Sequence, residues 1–195
     1  MNIINYIFSF LCSQDVSRSF VIDGCVLPLC QRCTGVYIGL GISFVYLLAS
    51  GYYKKGLPPR SVIYVNIASM LIMPIFGFHL FDPGPAWRLW SGLIFGNAIA
   101  FLLCPAALVI CNKGKAFGYN IKVSTFCFFL LFALLSITPL WFPIQSSFFY
   151  YGTIALALVG VLGVLLCIAA TIVFLIKKVT VSLILKGFSN GYAKN

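Results

Sequence analysis

Four of the eight cysteines in this 195-residue chain fall within 22 residues near the N-terminus: Cys12, Cys25, Cys30 and Cys33. Their surroundings read Leu11-Cys12-Ser13-Gln14 and Pro28-Leu29-Cys30-Gln31-Arg32-Cys33-Thr34-Gly35, a C-x-x-C pair with two further thiols upstream. Two cysteines three apart at the start of a helix bring both sulfurs to one point, and a tetrahedral zinc site takes four such ligands. The same spacing suits thiol–disulfide exchange, with Cys30 and Cys33 as the reacting pair and Cys12 or Cys25 as shuttle. A helix N-terminus and the neighbouring Arg32 both favour thiolate over thiol. A third chemistry is inert: on an oxidising side, four cysteines form two disulfides that staple the segment to the first helix. Arg18, Arg32 and Arg88 lie on the same side as these cysteines. Guanidinium groups either pair with Asp15, Asp23 and Asp82 or gather around a phosphate or carboxylate, such as a lipid headgroup, through paired hydrogen bonds.

The elements that must hold these groups are set by composition. Hydrophobic residues make up 62% of the chain and charged residues 8%, against roughly 25% charged in soluble domains. A soluble globule of this composition would expose apolar patches everywhere, so soluble enzymes and disordered chains are excluded together. A bilayer-crossing helix needs roughly 20 apolar residues. Such stretches run from Thr34 to Tyr53, from Ser61 to Phe81 and from Leu89 to Cys111. The uncharged run from Val123 to Ile176 is long enough for two, divided by Pro139, Trp141, Pro143, Gln145, Ser146 and Ser147. The fourth and fifth spans are therefore placed at Ile121 to Phe142 and Phe149 to Ile176. Continuous apolar runs without alternation exclude a membrane barrel. The expectation is an all-α, polytopic bundle of five transmembrane helices. Asn2 to Leu11 is apolar but too short to span, and no Lys or Arg precedes it as in a secretory signal, so it is expected to fold back over the bundle.

The basic residues alternate between connections. Lys54, Lys55 and Arg60 follow the first span, Lys113, Lys115 and Lys122 the third, and Lys177, Lys178, Lys186 and Lys194 the last. Every lysine is thus on one side. The other side carries Arg18, Arg32 and Arg88 against Asp15, Asp23 and Asp82, a formal charge of zero. Lys and Arg concentrate in short cytoplasmic loops, which puts the N-terminus outside and the C-terminus inside. Trp87, Trp90 and Trp141 fall at outer span ends, as an interfacial belt would. Three regions follow: an outward Cys-rich segment (1–33), the five-helix domain (34–176) and a basic cytoplasmic tail (177–195). The tail and inner loops suit anionic lipid. The charge excess of +10 is accounted for by topology, so no nucleic-acid partner is expected.

Cys104, Cys111, Cys127 and Cys167 lie within spans, where a thiol packs as a small apolar group. His79, the single histidine, sits in the outer half of the second span and is an outside candidate for a nitrogen ligand. Gly35-x-x-x-Gly39 opens the first span and Gly92-x-x-x-Gly96 the third. Small residues at that spacing let helices approach closely, so these two spans are expected to touch. The last two spans, with no ionisable group, are expected to be scaffold.

Taken together, Cys12-x-Gln14, Arg18-Ser19-Phe20 and Pro28-Leu29-Cys30-x-Arg32-Cys33-Thr34-Gly35-x-Tyr37-x-Gly39 resemble the signature of a prokaryotic membrane-protein family, domain of unknown function 2085. The resemblance continues at Arg88-Leu89, Ser91-Gly92-Leu93 and Gly96, covering roughly residues 12 to 105. Family members usually have His after the first cysteine, where Ser13 stands here, and Cys25 is the substitute fourth ligand. They also usually have an Asp-Gly pair before the third span, where this chain has Phe76-Gly77 or the displaced Asp82. The resemblance implies a multi-pass protein of a prokaryotic inner membrane and assigns no activity. The reading expected from the residues is a transition-metal site, with zinc as the ion, at Cys12, Cys25, Cys30 and Cys33 beside the arginines. The alternatives are a membrane thiol oxidoreductase passing electrons to quinone through Cys30 and Cys33, and a non-catalytic structural or transport-accessory protein. Whether the chain is an enzyme stays open at this level.

Overall fold

The computed structural model describes residues 3–51, 57–77, 84–112, 131 and 147–192, with side chains as far as 180. Chain order is a short helix α1 (Ile3–Ser9), a 3-10 turn (Val16–Arg18), strands β1 (Ser19–Ile22) and β2 (Cys25–Cys30), then helices α2 (Gln31–Ala49), α3 (Arg60–Gly77), α4 (Pro85–Asn112) and α5 (Ser147–Tyr192). Three of these are long and apolar enough to cross a membrane: Gln31–Ala49, Pro85–Cys111 and Ser147–Thr180; Arg60–Ile75 is a shorter apolar helix. The fourth expected span, His79, Asp82, Trp141, Cys127 and the lysines of the 113–122 connection lie outside the described residues.

α2 starts three residues earlier than apolarity alone indicates, because Cys30 keeps an extended backbone and acts as its N-cap. Arg32 and Cys33 therefore occupy its first turn. The helix stops at Ser50, followed by Gly51 at φ 63°, the left-handed position that glycine fills at helix ends. α5 runs well past Ile176 and through Lys177, Lys178 and Lys186 as one helix, since nothing in that stretch breaks a helix.

α2, α4 and α5 pack side by side through glycines. A Cβ on Gly35 would lie 2.1 Å from the carbonyl oxygen of Leu89, and one on Gly39 would lie 2.4 Å from that of Leu93. Reciprocally, Gly92 faces the Arg32 carbonyl at 2.3 Å and Gly96 that of Val36 at 2.1 Å. The two four-residue glycine spacings thus face each other, and the backbones touch because no side chain intervenes. Gly41 and Gly160 make the same contact between α2 and α5, with Leu156 and Tyr37 carbonyls at 2.2 and 2.4 Å. Residue numbers rise together along the α2–α4 interface, and α5 runs the same way, from Ser147 at the hairpin turn to Gly163 against Phe44, so α2, α4 and α5 are parallel. Their first turns share one end of the bundle, where the hairpin sits, and Asn112 and Ser147 lie at opposite ends.

The central cluster of Leu40, Phe44, Leu47, Val62, Ala100, Phe101 and Cys104 ties α3 into this packing. Within it lies a polar layer. Ser43, Asn66 and Asn97 are fully buried, and the Ser43 hydroxyl lies 2.6 Å from the Gly39 carbonyl and 2.8 Å from Asn97 Oδ1. Ser43→Ala is expected to destabilise the bundle by about 0.6 kcal/mol, with ~1.7 as the upper end for such interhelical bonds. Chemical unfolding in detergent would read this, and an unchanged midpoint would show that the pair carries no energy. The outer flank of α5, with Leu165, Leu166 and Ile172 exposed, is apolar as a lipid-facing surface must be.

A candidate three-thiol metal centre

Asp23 and Gly24 adopt positive φ, 52° and 71°, the two-residue turn that Asp-Gly favours because both positions tolerate the left-handed region. The turn joins β1 to β2 as an antiparallel pair, Ile22 opposite Cys25 and Val21 opposite Val26. The sequence reading placed no strands in this segment. The Asp23-Gly24 pair between β-branched residues is the signal that marks them.

The hairpin, α1 and the start of α5 share a buried cluster of Phe8, Cys12, Ile22, Leu27, Leu29, Ile154 and Ala157. α1 is therefore folded onto the bundle, its Phe8 fully buried. Its last turn positions Cys12, whose amide donates to the Phe8 carbonyl at 3.0 Å. Gln14 fastens the following loop through a 2.7 Å bond from Nε2 to the Asn5 carbonyl. At the far side, the Ser147 hydroxyl donates to the Asp23 carboxylate, tying the hairpin turn to α5.

These constraints bring three sulfurs together. The Sγ atoms of Cys12, Cys30 and Cys33 all lie within 4.8 Å of one another, and the backbone N–H of Cys30 donates to Cys12 Sγ at 3.3 Å. Cys30 is held far below the ordinary thiol range, at about 5, chiefly because the Cys33 thiol donates to it; the backbone N–H groups of Cys33 and Arg32 and the Cys12 thiol add to this against the cost of burial. Those amides are the free donors of the α2 first turn, which is why a thiolate is stabilised there. None of the seven described cysteines is in a disulfide.

Cys25 does not join them. It is exposed and sits at the turn end of β2, five residues from Cys30, which at ~3.3 Å per strand residue is roughly 16 Å away. Of the four cysteines expected from sequence, three converge and Cys25 stands apart, because the segment from Cys25 to Cys30 is an extended strand. The arginines are near this end of the bundle. Arg18 pairs with Asp15 at 3.6 Å on the surface, and Arg88 Nη1 donates to Gln31 Oε1 at 3.1 Å. Asp15 is held below the usual carboxylate range by the hydroxyl and amide of Ser17, with smaller contributions from Arg18 and Arg88. Arg18 and Arg88 therefore face acceptors belonging to the protein.

One consequence is chemical. Because Cys30 is ionised down to about pH 5, its alkylation by iodoacetamide is expected to stay nearly constant from pH 8 to pH 6, whereas an ordinary thiol slows about tenfold per pH unit. Mass spectrometry of the Cys30 peptide reads the rate, and a tenfold fall per unit would refute the ionised state.

The fold and site define a helical membrane protein with a three-thiol cluster capping one end of its bundle. Comparison supports the class: the family model described as "Predicted membrane protein (DUF2085)" matches residues 12–102, from Cys12 into α4, and so includes all three sulfurs and both glycine spacings. An uncharacterized protein of Methanothermobacter thermautotrophicus is 33% identical over 70 residues, which is 35% of this chain and 57% of that protein. The chain thus spans little more than half the length of that relative. No solved structure matches.

Proposed function

We propose that the protein is a five-crossing protein of a prokaryotic cell membrane whose outward cap binds one transition-metal ion, zinc, through Cys12, Cys30 and Cys33. The convergence of the three Sγ atoms within 4.8 Å carries this reading. Zinc–sulfur bonds of ~2.3 Å put thiolates in a tetrahedral shell ~3.8 Å apart, so side-chain rotations suffice to close around an ion. The amide donating to Cys12 Sγ is the kind of outer partner that orients a ligating sulfur. Three protein ligands leave the fourth position to an outside ligand, the arrangement that distinguishes a working zinc site from a closed structural one. The parallel course of α2, α4 and α5 supports the topology, since the chain from Asn112 must return to the hairpin end before Ser147. Lysines at the other end, Lys177 and Lys178 on α5, suit an anionic cytoplasmic leaflet. Elemental analysis of protein purified without chelators tests the metal. About one zinc per chain is expected, and metal-free, fully folded protein would sink the reading.

The ionised Cys30 favours a second reading, thiol–disulfide exchange. Oxidation of the Cys30 thiolate and the Cys33 thiol to a disulfide would release two electrons and one proton, for which a quinone, taking a second proton from water, is the acceptor class. Thiol trapping in intact cells separates the two: a Cys30–Cys33 redox state that follows quinone depletion supports exchange, and a fixed state excludes it.

A further inference from the structure

Three polar side chains lie inside the apolar part of the bundle: Ser43 on α2, Asn66 on α3 and Asn97 on α4, none with exposed surface. Ser43 follows Gln31 by 12 residues and Asn97 follows Pro85 by 12, so at 1.5 Å per residue both lie about 18 Å down their helices from the hairpin end. Asn66 reaches this depth from the opposite direction. Val62, near the start of α3, shares the central cluster with Leu47 near the end of α2 and with Ala100, Phe101 and Cys104 on α4. α3 therefore climbs back toward the hairpin end, and Asn66 stands one turn above Val62 as Asn97 stands one turn above Phe101.

The hydrogen-bonding groups of this layer are not matched among themselves. Ser43 has one hydroxyl proton for two oxygens, the Gly39 carbonyl at 2.6 Å and Asn97 Oδ1 at 2.8 Å. Asn97 Nδ2 and both Nδ2 and Oδ1 of Asn66 have no hydrogen-bond partner in the protein. Buried polar groups left in this state are costly, and in folded proteins they are completed by protein or by ordered water.

Three properties define what completes them here. The occupant is neutral: the charged residues of α2, α3 and α4 are Arg32, Arg60 and Arg88, all in first turns, so no charge on these helices balances an ion at this depth, and an unbalanced charge in apolar surroundings is strongly disfavoured. It both donates and accepts, since the unmatched groups include N–H and C=O. It is small, because all three side chains are closed off from the surface. Water meets all three conditions, and a buried water typically makes about three hydrogen bonds to groups of this kind.

We infer that Ser43, Asn66 and Asn97 form an intramembrane water-binding site, in which one or two waters accept from the Nδ2 groups of Asn66 and Asn97 and donate to Asn66 Oδ1. The site joins α3 to α4 through water, whereas α2 meets α4 through direct backbone contact at the glycines. It lies apart from the three-thiol centre and does not rest on a metal there.

The test uses the full chain, with asparagine nitrogen labelled, in detergent micelles. Rotating-frame cross-peaks to the water line, with the sign of dipolar contact and not of proton exchange, are expected at the side-chain N–H protons of both Asn66 and Asn97. Their signals are assigned by loss in Asn66→Leu and Asn97→Leu, or through bonds to Cβ if either variant does not fold. The cross-peaks should persist in Ser43→Ala, where no neighbouring hydroxyl can relay them. Folded protein without a water cross-peak at either amide, a direct contact between the two amides with no water signal, or a signal that vanishes in Ser43→Ala would overturn the assignment.

Discussion

Replacing Cys30 and Cys33 together by serine is expected to lower bound zinc from about one ion per chain to near zero. Serine hydroxyls do not ionise at neutral pH, so the double variant loses two of three anionic ligands while keeping nearly the same shape. Cys12→Ser should lose the ion too, although Cys12 is 18 residues from Cys30 in sequence. Cys25→Ser should not, because Cys25 is exposed at the far end of β2. The contrast between Cys12 and Cys25 is the informative part of the experiment. Both stand upstream of the C-x-x-C pair, and only the hairpin geometry separates them. Equal loss from Cys25→Ser, or full metal in the Cys30/Cys33 double variant, would show that the ion is held elsewhere.

The second large effect is expected at Gly35. The first side-chain atom of an alanine there would meet the Leu89 carbonyl oxygen at 2.1 Å and the Leu93 nitrogen at 2.9 Å. Both are backbone atoms in the middle of a helix and cannot swing aside. Gly35→Ala must therefore push α2 away from α4, at a cost of about 1–3 kcal/mol or more for an overpacked interface. Gly92→Ala, against the Arg32 carbonyl at 2.3 Å, should do the same from the other helix. It should also weaken zinc, since Arg32 and Cys33 share the first turn of α2. Gly152→Ala is the matched control, with nothing within 4 Å of the added carbon, and is expected to stabilise α5 by up to ~1 kcal/mol through helix propensity. Thermal unfolding in one detergent orders the variants. A Gly35→Ala protein that melts like wild type would mean that α2 and α4 are not in contact in the membrane.

Much of this architecture is legible before any coordinates. Long apolar stretches mark α2, α4 and α5, because a helix is the form in which an uncharged run satisfies its own backbone in lipid. The facing of Gly35 and Gly39 with Gly92 and Gly96 follows from their spacing, which places each pair on one side of its helix. Helix ends are less legible. α2 begins at Gln31 because Cys30 caps it, and α5 runs on past Ile176 because lysines do not interrupt a helix.

The site divides in the same way. Sequence by itself determined that the chain is a membrane protein, that its chemistry-bearing cysteines gather at one end, and that Cys30 and Cys33 must be neighbours, since one helical turn carries both. It could not choose a third sulfur, because Cys12 and Cys25 are linked to that turn only through segments of unknown path. Tertiary structure made the choice: the Asp23-Gly24 turn sends Cys25 to the outer end of a hairpin, while α1, anchored by Phe8, returns Cys12 to the start of α2. The close approach of α2 and α5 at Gly41 and Gly160 shows the same limit, because contacts between distant helices depend on how faces pack, and no local pattern records that.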